Sequence, residues 1–251
     1  MLYGLYLSAS GMALARHRQD VIANNLANAQ TTGFKRDLAL YTQRPLEAMD
    51  LPGGRRFLPE HLKEMTGGGF AAATFTDFTQ GPVEVSERPL DVMLQGPGML
   101  AVQDGEKVAY TRDGKLTLLG QKLVRAVDGR PVLDVDGNEI CFNGATLDQL
   151  TVDPFGCVRH CGVPAAQLGI FEFEDLQSLV KLGSNMFGAT EPPLPAGHTT
   201  VVSGVFEASG VNPALELVEM IKNTRAFELS SRMIMLQDET LGRLVNELPK
   251  L

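Results

Sequence analysis

The sequence predicts a mainly β middle domain of antiparallel hairpins, forming a partly open barrel or sandwich. N- and C-terminal α-helices flank it and pair as a coiled-coil-like module. Three observations carry this reading. Asp-Gly pairs stand at 104–105, 113–114, 128–129 and 136–137, between short apolar runs. The stretch from Leu2 to about Asn28 contains no proline, and no glycine or proline follows Pro213 until Gly242. Glycine (26) and proline (14) are plentiful while aromatic residues are 6%, so turns must be frequent between the helical ends.

In the first helix Leu5, Ala9, Met12, Gln19, Ile22 and Leu26 lie on or near one stripe, interrupted at Gln19. That is an amphipathic pattern with a weak centre. Thr31, Thr32 and Gly33 break it. Three asparagines, Asn24, Asn25 and Asn28, crowd its last turn and a half. Asparagine is a mediocre helix former because its amide competes for backbone groups, so those amides need partners. Local capping and fraying of one helix end is the plain alternative.

Residues 36–75, with "LPGGRR" and "TGGGF", show no periodicity and read as a connecting excursion. From 76 to 211 the texture is short strands and turns. Asp-Gly between alternating apolar runs is the strongest short hairpin signal. Runs at 166–173 and 199–206 add further strands.

The last helix is the clearest element. Asn212 suits an N-cap, and Pro213 suits the first helical position, where its missing N–H costs nothing. Counting alternately three and four from Leu217 gives Met220, Thr224, Phe227, Ser231, Ile234, Asp238, Leu241, Val245 and Leu248, a heptad seam with polar interruptions. A helix from Pro213 to about Glu247 is roughly 50 Å long, more than a small domain can wrap. The simplest burial of both apolar stripes pairs the two ends. Any face still exposed then needs other chains. The expected organisation is therefore a helical module of 1–35 plus 212–251, an excursion at 36–75 and a β-rich domain at 76–211.

Charge and cysteines exclude several functions. The net charge of −8, from 22 basic and 30 acidic residues, argues against a nucleic-acid surface. No run reaches the ~18 apolar residues of a membrane span. Basic residues first appear at Arg16, after an apolar stretch too short for a secretory signal. Cys141, Cys157 and Cys161 cannot form a fully paired framework. Cys157-Val-Arg-His160-Cys161 has the wrong order for haem attachment and lacks the second ligand pair that zinc requires.

Other motifs fail their context tests. Gly96-Pro97-Gly98-Met99-Leu100-Ala101 fits a dinucleotide fingerprint by letter, but the residues after it read as strand rather than helix. Asp134, Asp136 and Asn138 begin a calcium loop, yet Glu139 and Ala145 occupy its discriminating positions. His17, His61, His160 and His198 stand beside no recognised nucleophile motif, and Glu172 and Glu174 alternate with Phe171 and Phe173 as a solvated strand face. Letters alone leave open a β-domain enzyme or ligand-binding protein whose end helices pack on its own sheet.

The segments "SASGM" (8–12), "DVIANNLANAQTTGFKR" (20–36), "PLDVMLQGPGMLAV" (89–102), "YTRDGKLTL" (110–118) and "LELVEMIKNTRAFELSSRMI" (215–234) resemble the flagellar hook–basal body family of axial proteins. Length and the compact middle look most like a rod subunit, proximal-rod type first and distal-rod type second. The resemblance implies a non-enzymatic subunit, without cofactor or metal, whose terminal helices form an inner tube with the β-domain outside. It implies export through the flagellar export apparatus without a cleaved signal, and a place in the periplasmic rod. Its partners would be copies of itself and other rod and hook axial proteins, with neither nucleic acid nor membrane insertion. The implied subunit-interface residues are Leu5, Met12, Ile22, Asn24, Asn25, Leu26 and Asn28 of the first helix, and Leu217, Met220, Ile221, Phe227, Ile234 and Leu241 of the last. Gly33 and Phe34 would form the turn out of the first helix. Departures from the family pattern are Gly210 in place of asparagine, Pro97 and Met99, and the Cys157/Cys161 pair.

Overall fold

A computed structural model describes residues 2–44 and 67–247. Most of the excursion, with His61, and the seam position Leu248 lie outside the described residues. The chain divides into two compact units. Unit 1 comprises residues 1–27, 37–75 and 213–251, and unit 2 comprises 28–36 and 76–212.

Unit 1 is built on two helices, α1 (Leu2–Ala27) and α2 (Pro213–Glu247). Helix α2 starts at Pro213 and runs 35 residues. The helices pack against each other in antiparallel fashion: Arg18 meets Glu219, Ala15 meets Asn223, Gly11 faces Ser230 and Gly4 faces Gln237. A glycine inside a helix costs roughly 1 kcal/mol relative to alanine. Here the two α1 glycines give room to α2, since a Cβ on Gly4 would stand 2.9 Å from Gln237 Nε2 and one on Gly11 3.3 Å from Ser230 Oγ. A short antiparallel hairpin, Tyr41–Gln43 with Gly69–Ala71, packs on another face of α1. Its close approach depends on Gly69, where a Cβ would lie 2.7 Å from Leu14 Cδ1.

Unit 2 is the predicted β domain of antiparallel strands. Its largest sheet has six strands, in the order Val180–Gly183, Met186–Gly188, Lys107–Thr111, Met99–Asp104, Ile170–Glu172 and Leu194–Pro195. A three-stranded sheet of Leu150–Val152, Cys157–His160 and Val163–Gln167 stands beside it in the chain, with two-stranded ribbons elsewhere. Alternation along Met99–Asp104 sends Leu100 and Val102 to one core cluster, with Leu116, Leu123, Val132 and Leu150. Met99 and Ala101 face a second cluster, where Tyr110 packs edge-on against Phe173 with ring centroids 4.9 Å apart. Both faces of this strand are therefore buried.

Three Asp-Gly glycines, Gly105, Gly129 and Gly137, sit at turns with positive φ. The Asp113-Gly114 pair corrects the expectation of a fourth tip. Gly114 lacks a positive φ, and a Cβ there would lie 1.7 Å from Val92 O, so its role is close backbone approach. The strand pair at 180–188 instead turns at Ser184 and Asn185, both with positive φ (49° and 55°) and neither a glycine.

Candidate subunit interface

The α1–α2 seam is made of small and polar residues rather than of the counted heptad. Leu217, Thr224 and Asp238 are exposed, whereas Glu216 and Asn223 are buried and Ser230 and Gln237 half-buried. The stripe toward α1 therefore runs Glu216, Met220, Asn223, Phe227, Ser230, Ile234, Gln237, Leu241, sharing only every second position with the apolar count. The reason lies on α1, where Gly4, Ser8, Gly11 and Ala15 recur at heptad spacing. Small residues let the backbones approach, so polar α2 side chains reach main chain. Asn223 Nδ2 donates to Ala15 O at 2.7 Å and to Gln19 Oε1 at 2.8 Å. A buried amide satisfied by one partner position fixes register, as a single polar residue does in coiled coils. Gln19, which interrupts the apolar stripe of α1, is the second half of that contact.

The asparagine cluster divides its work. Asn25 is 1% exposed, and its Nδ2 donates to Asp37 O (2.8 Å) while its Oδ1 accepts from Asp37 N–H (2.9 Å). This two-point bond pins the strand after the helix to the helix itself, within one chain. Asn28 Oδ1 accepts from Thr31 Oγ1, and Asn28 O accepts from Thr31 N–H, closing the helix end. Asn24 is exposed. Among the apolar candidates Ile22 is buried, Leu5, Met12, Leu26, Met220, Ile234 and Leu241 are half-buried, and Leu217, Ile221 and Phe227 are exposed.

The buried apolar side chains of unit 1 are few: Ala15, Val21 and Ile22 among the described residues. Against these, α2 exposes Leu215, Leu217, Val218, Ile221, Leu229, Met233, Met235 and Leu236. Surface leucines scattered singly are ordinary, but a helix with more large apolar residues outside than inside presents an interaction face. A second exposed group surrounds Arg44, whose guanidinium donates to Tyr6 Oη at 2.7 Å and lies 5.5 Å and 5.6 Å from the Tyr6 and Phe70 ring centroids. Sequence reasoning missed this staple because its three members come from separate segments.

Gly33 and Phe34 belong to unit 2 and are buried there. Gly33 has φ +64°, and a Cβ on it would lie 2.5 Å from the Arg112 carbonyl carbon and oxygen. The segment around it is gripped on several sides: Asn185 Nδ2 donates to Thr32 O, Lys181 Nζ donates to Lys35 O, and Thr32 Oγ1 donates to Asp113 Oδ1. Four charged side chains, Lys35, Arg112, Asp113 and Glu207, are almost wholly buried around it. Burial lowers the Lys35 and Arg112 pKa values, Glu207 opposing both shifts, and burial raises that of Asp113. No letter pattern announces such a network, since its members span nearly the whole chain.

Chemistry of other kinds finds little support. Among the described residues no group of three or more His, Cys, Asp or Glu is placed to hold a metal ion, and no helix is long and apolar enough to cross a membrane. Cys157 begins a strand and Cys161, with φ +51°, occupies the turn that follows it. Four residues of extended chain span roughly 13 Å. A disulfide needs Cα atoms within about 7 Å. The two thiols are free and cannot bridge without rearranging the strand.

A fold of this kind, with paired terminal helices of which α2 leaves many large apolar side chains outward, fits a structural assembly subunit. Two family models match its ends: flagella basal body rod protein over residues 5–35, and flagellar basal body rod FlgEFG protein C-terminal over residues 202–247. Similar full-length relatives include the flagellar basal-body rod protein FlgF of Caulobacter vibrioides, 32% identical over 92% of this chain and 91% of the relative. FlgF of Escherichia coli is 31% identical over 97% of each chain, and FlgG of Buchnera aphidicola subsp. Schizaphis graminum 30% identical over 97% of this chain and 99% of its own. The chain belongs to the flagellar basal-body rod protein family.

Proposed function

We propose that this structural, non-enzymatic rod subunit polymerises helically through α1 and α2, with copies of itself and with other axial proteins, and transmits torque across the periplasm. In that reading α1 and α2 build the tube. The chain reaches its place through the flagellar export apparatus. The observation that carries the proposal is the imbalance of unit 1, whose buried apolar set among the described residues is Ala15, Val21 and Ile22 while α2 holds a far larger apolar set outward. A torque-bearing polymer needs subunits with one registration. The Asn223–Ala15–Gln19 bonds supply it within the chain, leaving Leu217, Ile221 and their neighbours for contacts between chains.

The test is Ile221→Asp beside Leu217→Asp, with incorporation into basal bodies and swimming as readouts. Ile221 is 55% exposed, so a charge there costs the isolated chain little. In a filled interface the same carboxylate is desolvated without a partner, which costs several kcal/mol. Both variants are expected to fold, to be absent from rods and to abolish swimming. Wild-type swimming with the variant subunit incorporated contradicts the proposal.

A further inference from the structure

We propose that the buried Lys35–Glu207 ion pair is a late-closing latch, through which unit 2 completes its fold only when the segment 31–36 meets the segment 205–210. The pair joins positions 172 residues apart. Lys35 is 0% exposed and Glu207 2%. Lys35 Nζ donates to Glu207 Oε1 at 2.5 Å and to Thr79 O at 2.8 Å, and the same carboxylate oxygen accepts from Gly81 N–H at 2.8 Å. Two backbone bonds run beside it: Gly33 N–H donates to Glu207 O (2.8 Å), and Gly210 N–H donates to Phe34 O (3.0 Å). The segment that leaves α1 and the segment that precedes α2 are thus held together inside unit 2.

The electrostatics make closure conditional. A lysine removed from water without a counter-charge is strongly unfavourable. Until residue 207 docks, the pocket that Lys35 occupies is closed to its ammonium form. Contacts of such large sequence separation also carry the largest loop-closure cost, so they form after the local hairpins. A chain emerging N-terminus first therefore keeps unit 2 open until its last strand, Val205–Glu207, has arrived. Arg112 adds an asymmetry. Its Nη1 lies 3.9 Å from Glu207 Oε2, while its other bonds go to Leu94 O and Gly96 O. Removing Lys35 leaves Glu207 beside Arg112, whereas neutralising Glu207 leaves two buried cations together.

The test uses the purified full chain, with folding and unfolding rates in urea followed by near-ultraviolet circular dichroism from buried Tyr110. Lys35→Met is expected to accelerate unfolding about 10²-fold, in line with breaking a buried pair. Refolding stays within about threefold of the parent, because a contact absent from the transition state acts on the unfolding limb. Glu207→Gln is expected to be the more damaging, and Lys35→Met with Glu207→Leu and Arg112→Met to regain much of the loss, since none of the three buried charges is then left orphaned. Should Lys35→Met fail to fold, recovery of the Tyr110 signal in the triple variant supports the latch, and its failure overturns it. A Lys35→Met chain whose refolding slows by the whole equilibrium loss overturns late closure. Single variants that match the parent in both rates overturn the role altogether.

Discussion

Replacing Gly33 by alanine tests a position in unit 2 where a positive φ and a close backbone approach coincide. Two costs add. The backbone stands at φ +64°, where an L-residue loses roughly 1–2 kcal/mol relative to glycine. The new Cβ would meet the Arg112 carbonyl carbon and oxygen at 2.5 Å and the Asp113 nitrogen at 2.8 Å, all backbone atoms. Relief requires moving one segment by nearly an ångström, and overpacking of that kind costs about 1–3 kcal/mol. The expected destabilisation is therefore about 2–5 kcal/mol, a large share of the roughly 5–15 kcal/mol that holds a domain together. Gly105→Ala is the control. Its φ is +63°, yet nothing stands within 4 Å of the added carbon, so only the conformational cost remains, about 1–2 kcal/mol. Urea unfolding read by near-ultraviolet circular dichroism, with exchange of the Ala101 amide as a local reporter, gives both numbers. If the two variants lose stability equally, the close approach of Gly33 to Arg112 is not what that glycine serves.

Further outcomes concern the helix end and the buried charges. Asn25→Leu removes both bonds to Asp37 and is expected to cost roughly 2–4 kcal/mol, read as faster exchange at the Asp37 amide. Exposed Asn24→Leu is expected to stay within about 1 kcal/mol. Burial raises the Asp113 pKa above 3.8, so the folded chain binds more protons than the unfolded one in the window above that value. The contribution of Asp113 to stability is accordingly complete below pH 3.8 and lost as pH rises through its folded pKa. Asp113→Asn can still accept from Thr32 and Lys115, and is expected to flatten the stability–pH profile there while gaining stability relative to the parent at neutral pH. An unchanged profile would show that Asp113 is not desolvated.

What the sequence reveals and what it hides follow from how far apart the partners lie. Pro213 at N1 and the glycine-free run after it mark α2 by local rules, and three of the four Asp-Gly pairs mark turns because positive φ is a property of one residue. Gly114 escapes the same rule because its need is set by Val92, which lies twenty-two positions earlier. The Ser184–Asn185 turn is illegible for another reason. Its unfavourable φ values are held by tertiary bonds, Arg125 Nη2 to Ser184 O and Asn185 Nδ2 to Thr32 O, rather than by glycine. The helix seam misleads an apolar count because α1 is lined with Gly4, Gly11 and Ala15. Against so small a surface the better occupants are Asn223, Ser230 and Gln237. Their seven-residue spacing is visible in the sequence once polar residues are allowed to count. Asn25, Lys35 and Glu207 are further cases in which a polar letter hides a buried role.

Polymerisation through the helices requires that the outward face of α2, bare in the single chain, be covered in the rod. A cysteine placed at Ile221, in a chain whose Cys141, Cys157 and Cys161 are serine, reports this directly through its reaction with a maleimide. Ready labelling of the purified chain and protection of the same thiol in isolated basal bodies are expected. Equal labelling in both, with the subunit present, contradicts it.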